Sequence, residues 1–230
     1  MAIKVITIDF LNTIFYSSIW LERNNFRLNA LKENISTLGK KVEEEEFDKA
    51  LKASWEYFSE IWKKELRTPM PFETIEFFWK YLNLPYSQEK IEKVAYLFGI
   101  SILEFPPKPL AGVEIALKKL SADFNLGIVS DTGFSPGVVL SELLENFGLI
   151  NYFSAFSFSD ETGVSKPHPK AYFKVLDELN CSPEEALHIG DIESTDIAGA
   201  KKLGMKAIRF VGDNTAVLNK ENSRETQADF

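Results

Sequence analysis

Apolar positions along this chain change their period several times, and the changes mark its elements. Short, largely apolar runs at residues 3–8, 126–130, 155–158, 186–189 and 206–211 have the length and residue types of buried strands. Apolar residues recur instead at helical spacing over 113–120, 138–147, 170–179 and 197–203, between the later runs. Ser182-Pro183-Glu184-Glu185 reads as a further helix start, with Ser182 as cap, proline first and glutamate third. Strands alternating with helices predict parallel strands joined by right-handed crossovers, a doubly wound α/β sheet.

Residues 17–99 break the alternation. They hold helical patterns at 19–38, 43–66, 72–81 and 88–98, and no strand pattern. Thr68-Pro69-Met70-Pro71 and Pro85 divide them into separate helices. The prediction is an inserted helical unit at 17–103, within a core made of 1–16 and 104–230. Phe105-Pro106-Pro107-Lys108-Pro109 forms the stiff return to that core. The insert is rich in aromatics: Trp20, Trp55, Trp62, Phe77, Phe78 and Trp79 are expected in its interior, with the face turned toward Asp9 open as the alternative for some of them. Glu43–Glu46 reads as a solvated first turn favoured by the helix dipole.

Composition narrows the class of protein. There are 26 basic and 34 acidic residues, a net charge of −8, which disfavours non-specific binding to nucleic acid or anionic membrane. Cys181 is the single cysteine, so no internal disulfide can form and a reducing compartment is expected. No apolar run is long enough to span a bilayer and no signal-peptide pattern opens the chain. A soluble cytoplasmic protein is the expectation; oligomeric state is left open.

Asp9 ends the first strand pattern, where an open α/β sheet places its chemistry. An aspartate there can act as a covalent nucleophile toward phosphorus or carbon. It needs cations to shield it from an anionic substrate. Lys166, among Ser165-Lys166-Pro167-His168-Pro169, is placed to supply one, and Mg²⁺ to supply the other. That ion takes oxygen ligands and keeps several waters. Asp9 and Asp191 fall at strand ends and can converge on it; Asp196 can bind the ion or order its waters and Lys166. Thr13 and Ser130 offer small hydroxyl donors to substrate oxygens, with Asp131 beside Ser130. The intervals from Ser130 to Lys166 and from Lys166 to Asp191 each match about one βαβ step. His168 is expected as a structural neighbour of the Lys-Pro turn, and His188 as a satisfied core histidine.

These four segments, Asp9-Phe10-Leu11-Asn12-Thr13, Ser130, Lys166-Pro167 and Gly190-Asp191 through Asp196, resemble the motifs of the haloacid dehalogenase-like hydrolases. The resemblance covers the whole chain. It implies a Rossmann-like core with a small mobile helical cap and Asp9 as nucleophile. It also implies Mg²⁺ held by Asp9, the Leu11 backbone carbonyl and Asp191, with a small phosphorylated metabolite as substrate. The polar segment 219–230 ends where family members often begin a further short strand; a frayed tail or a piece completing a neighbour's surface are both open.

Position 11 departs from the family's phosphatases, which carry a second aspartate there. That residue protonates the leaving group and later activates water; a leucine can do neither. Asn12 stands where glycine is usual, and asparagine tolerates left-handed backbone. Four readings result. One is a phosphatase-type hydrolase lacking its acid. A 2-haloacid dehalogenase is another, disfavoured because the extra carboxylate of Asp191 would repel its substrate. A C–P bond hydrolase needs a cap lysine for a Schiff base, and Lys32, Lys40, Lys41, Lys49, Lys52, Lys63 and Lys64 are all candidates. The last is a binding protein whose chemistry is lost. General acid–base assistance is worth roughly 10²–10⁴-fold. Leu11→Asp should therefore raise the rate of phosphate-ester hydrolysis at least about tenfold; an unchanged or lower rate would show that the missing acid does not limit turnover.

Overall fold

The computed structural model describes residues 2–17, 19–212 and 226–230. Five strands form one parallel sheet: β1 (Val5–Ile8), β2 (Asn125–Ser130), β3 (Ala155–Phe158), β4 (Ala186–Gly190) and β5 (Lys206–Arg209). Their spatial order is β3-β2-β1-β4-β5, so the chain moves outward from β1 in both directions. Ile8 pairs with Ile128 on one side and Ile189 on the other, which brings the carboxyl ends of the three central strands level. That is the doubly wound sheet the alternation predicts, with its ligand crevice at the switch point beside β1.

Period-two alternation explains how both faces are covered. Ile6 and Ile8 face a cluster with Leu117 of α5 (Val113–Asp123) and with Leu140, Leu143 and Leu144 of α6 (Gly137–Asn146). Val5 and Val129 face the opposite cluster, with Tyr172 and Val175 of α8 (Pro169–Glu178) and Ala200 of α9 (Ala198–Lys202). A single turn, α7 (Ser159–Thr162), follows β3 directly. The helix expected after Ser182 is only the three-residue 3₁₀ turn Pro183–Glu185; β4 begins at Ala186, and pairing with β1 claims the next residues.

The insert between β1 and β2 is entirely helical. It comprises α1 (Trp20–Ser36), α2 (Glu44–Glu60), a π-helical turn (Ile61–Glu65), α3 (Pro71–Tyr81) and α4 (Gln88–Glu104). Proline opens α3, where its missing N–H is no loss, and Glu73 accepts from the Met70 N–H at 2.9 Å. Leu31, Phe47, Phe78, Trp79, Ile91 and Phe98 close a second apolar core between these helices. Trp79 and Phe78 are buried as expected, but Trp20 and Trp55 lie more than half exposed. Trp55 instead stacks on Phe58 along the surface of α2. Phe134, from the loop after β2, reaches into this second core against Phe58 and Phe98, under the Arg27 guanidinium.

Residues 226–230 run along β5, where the Asp229 N–H donates to Ala207 O and the Arg209 N–H to Phe230 O. Lys201 and Lys206 hold the Asp229 carboxylate. The end of the tail thus covers its own sheet edge; residues 219–225 lie outside the described residues.

Gly127 leaves β2 room to pass beneath α8: an added Cβ would sit 2.4 Å from Val175 Cγ1. Gly127→Ala should cost about 1–3 kcal/mol in urea unfolding. A double-mutant cycle with Val175→Ala should show coupling of about 1 kcal/mol or more; strict additivity would mean Val175 is not the obstacle.

Candidate active site

Asp9 emerges from β1 buried, its N–H donating to Ile189 O and so extending the β1–β4 pairing by one residue. The chain then closes a tight turn. The Ile14 and Phe15 N–H groups return to Phe10 O, and the Asn12 N–H donates to Phe15 O at 2.6 Å. Fully buried Phe10, Ile14 and Phe15 pin the turn to the core, the first and last with their rings stacked. Asn12 takes the left-handed conformation, φ 63°, as the turn requires. Leu11 forms an isolated bridge with Phe15 and packs against the apolar core.

Lys166 is the hub. Its Nζ donates to Asp9 Oδ1 and, at 2.6 Å, to Asp196 Oδ1. Its backbone N–H donates to Asp131 Oδ1 at 2.9 Å. Asp196 is held from every side: His188 Nε2 reaches Oδ1 at 3.0 Å, and the Ile192 N–H reaches Oδ2 at 2.9 Å. Because that carboxylate only accepts, the His188 Nε2 carries the hydrogen. The other ring nitrogen of His188 meets Thr7 Oγ1, so this residue is a satisfied core histidine and also a support of the site. Gly190 permits the arrangement, since a Cβ there would stand 2.4 Å from Asp196 Cγ. Asp191 accepts from Asn12 Nδ2 at 3.0 Å. Thr13 lies in the turn after Asp9, its Oγ1 buried and without a hydrogen-bond partner. Ser130 is buried at the carboxyl end of β2, the strand that pairs with β1. His168 stands apart and caps α8, accepting from the Lys170 N–H.

One oxygen each from Asp9, Asp191 and Asp196 lie within 4.8 Å of one another, all buried. Lys166 alone does not balance them. Burial raises Asp9 to about 6 against the pull of Lys166, and burial with the Asp9 and Asp196 charges raises Asp191 to about 8. Burial also pushes Asp196 up, yet Lys166 and His188 outweigh it and hold that carboxyl well below the usual range. Burial would lower Lys166, but Asp196, Asp9 and Asp131 keep it firmly protonated. A hard divalent cation fits this donor set: hydroxyl and amide oxygens without partners, and buried carboxylates short of positive charge.

The insert contributes a residue that periodicity alone assigns to its interior. The π turn aims the half-buried Trp62 at the core, and its Nε1 donates to Asp131 Oδ2 at 2.9 Å. Below it the Ser165 N–H donates to Leu66 O, and Thr68 Oγ1 bonds the hydroxyls of Ser159 and Ser165. Trp62, Thr68, Ser159 and Ser165 carry no signal in the sequence, because aromatic and hydroxyl residues at such positions usually only pack or cap. The insert's lysines do not meet Asp9. Lys41, Lys49, Lys52 and Lys64 pair with glutamates of their own helices or loops, Lys40 holds Leu82 O, Lys32 lies over Phe47, and Lys63 is exposed.

The parallel sheet, its helical insert and the carboxylate–lysine cluster at the strand ends make up the candidate active site. The profile described as haloacid dehalogenase-like hydrolase matches residues 28–210, and the chain belongs to that family. The matched range begins after the Asp9 turn. Among named relatives, glyceraldehyde 3-phosphate phosphatase of Pyrococcus furiosus is 31% identical over 155 residues, 60% of this chain and 62% of that protein. The chain thus spans less than two thirds of that relative's length. Among solved structures, a 2-haloacid dehalogenase from Pseudomonas syringae superposes with a TM-score of 0.70 at 20% identity, covering 98% of this chain and 93% of that one. The HAD-hydrolase YfnB from Bacillus subtilis, bound to magnesium, superposes at 0.56 and 18% identity over 90% and 86% of the two chains. Both structures show the shared fold. No helix among the described residues is long and apolar enough to cross a membrane.

Asp9 and Asp191 retain protons in the folded chain after the unfolded chain has released them. Without metal, the stability they lend at low pH is therefore lost as pH rises from about 4 through about 6 and about 8. In EDTA, Asp191→Asn should raise the melting temperature at pH 8.5 by about 5 °C, roughly 2 kcal/mol for a chain this long. At pH 4 or below it should change little. An equal shift at both pH values would show that charge crowding is not the cause.

Proposed function

We propose that this chain is a Mg²⁺-dependent phosphatase of a small phosphorylated metabolite, working through an aspartyl-phosphate on Asp9. The observation that carries the reading is the position of Lys166, shared between Asp9 and Asp196, with one oxygen each of Asp9, Asp191 and Asp196 within 4.8 Å of one another. Asp9, the Leu11 carbonyl and Asp191 would hold the ion, which supplies the positive charge that lets an anionic phosphoryl group approach a carboxylate. Asp196 has donors on both oxygens already and is better suited to ordering Lys166.

The chain's own residues divide the remaining work. Asp9 attacks phosphorus, and Lys166 keeps it ionised by lying against it. Thr13 Oγ1, buried without a partner, and Ser130 donate to the phosphoryl oxygens. Asp131 spends its oxygens on the Lys166 N–H and Trp62 Nε1, so it tethers the Lys166 loop to the insert rather than facing the substrate. Residues 17–103 act as the cap over the core of 1–16 and 104–230, with Trp62 at their contact. No group at position 11 protonates the leaving oxygen, so esters with good leaving groups are favoured. The relatives named phosphatases support phosphate over halide chemistry. The engaged or exposed cap lysines weigh against a Schiff-base C–P hydrolase. Leu11 also favours a second reading, in which the fold binds a phosphorylated ligand without turnover.

Phosphate release from p-nitrophenyl phosphate should require Mg²⁺, stop in EDTA, and fall at least about 10³-fold in Asp9→Asn. Halide release from 2-chloropropionate should be absent. Release that ignores EDTA would sink the metal assignment, and halide release alone would favour the dehalogenase. If beryllofluoride with Mg²⁺ raises the melting temperature but no ester turns over, the binding reading replaces this one.

A further inference from the structure

Asn12 is explained by its turn only in part. Its φ of 63° requires a residue that tolerates left-handed backbone, and glycine would do that at less cost. The side chain must therefore be weighed separately. Asn12 is buried, and its Nδ2 donates to Asp191 Oδ2 at 3.0 Å. The amide is turned with its N–H toward Asp191 and its oxygen away from it. Asn12 Oδ1 is then left buried with no hydrogen-bond partner. A buried acceptor in that condition costs about 1–3 kcal/mol unless something else completes it.

We propose that Asn12 is a positioning residue for the divalent cation: Nδ2 orients Asp191, and Oδ1 accepts a hydrogen bond from a water that arrives with the ion. This rests on the Mg²⁺ reading above and adds to it a residue that the reading does not use. Mg²⁺ dehydrates reluctantly and keeps several waters, which need acceptors in the protein. A neutral amide oxygen accepts without adding charge to a pocket that already crowds Asp9, Asp191 and Asp196. Leu11, its neighbour, has no side-chain oxygen to offer, so within this turn Asn12 and Thr13 supply the polar side chains. Partners that orient metal ligands typically change metal affinity about 10–100-fold when removed.

The test is calorimetric titration of the metal-free protein with Mg²⁺, which reads binding and not activity. Asn12→Gly keeps the left-handed turn and removes the amide; its Mg²⁺ dissociation constant should rise about tenfold or more. Its melting temperature in EDTA should stay within a few degrees of wild type. Asn12→Asp, which also tolerates the turn, carries the test should the glycine variant fail to fold. It replaces the Nδ2 donor by a carboxylate oxygen, so Asp191 loses its orienting hydrogen bond and the Mg²⁺ dissociation constant should rise about tenfold or more. If wild type binds Mg²⁺ and either folded variant binds it with unchanged affinity, Asn12 is only a turn residue and the proposal is overturned while the metal reading stands. If wild type does not bind Mg²⁺, the metal reading itself fails and takes this proposal with it.

Discussion

Four carboxylates gather around one buried lysine, two of them on its ammonium, and the rest of the site follows from that imbalance. Asp9, Asp196 and Asp131 all contact Lys166 through its Nζ or its backbone N–H, and Asp191 stands close by. Buried charges are tolerated when they are paired and hydrogen-bonded, and are costly otherwise. Asp196 meets that condition through His188, the Ile192 N–H and Lys166, and it stays ionised. Asp191 accepts from Asn12 Nδ2, yet burial and the neighbouring Asp9 and Asp196 charges raise it to about 8. The proposed Mg²⁺ would answer that shortage of positive charge.

The same cluster joins the two apolar cores of the molecule. Lys166 answers to Asp131 at its backbone, Asp131 answers to Trp62, and the neighbouring Ser165 is tied to Leu66 and Thr68. Two contacts from the helical insert, Trp62 to Asp131 and Leu66 to Ser165, therefore reach the loop that carries Lys166. The π turn at Ile61–Glu65 matters because it re-aims one side chain without interrupting the backbone path of the helix. Phe134 makes the reciprocal contact, a ring from the core loop set among Phe58, Phe98 and Arg27.

Much of this was legible beforehand because it depends on local pattern and chain order. Period-two runs gave the strands, and their order with intervening helices gave a parallel sheet whose strand ends carry Asp9, Ser130 and Asp191. Where local pattern misled, a competing constraint is visible. After Ser182 a sound helix start is cut to one turn because pairing with β1 takes the chain from Ala186. Trp20 and Trp55 lie on the surface because helical spacing says which residues share a face and not which face is covered.

What the sequence by itself determined was the fold class, the helical insert between the first strand and its successors, and the family its motifs resemble. Those properties follow from periodicity and from the spacing of a few polar residues at strand ends. Only the tertiary structure decided which donors each carboxylate meets, that Asn12 touches Asp191, that Trp62 reaches Asp131, and that His188 supports Asp196. Such contacts join residues far apart in the chain, and each depends on an amide's rotation, a π turn or the lack of a Cβ at Gly190. A hydrogen bond is set by tenths of an ångström across packed elements, and periodicity carries no information at that scale.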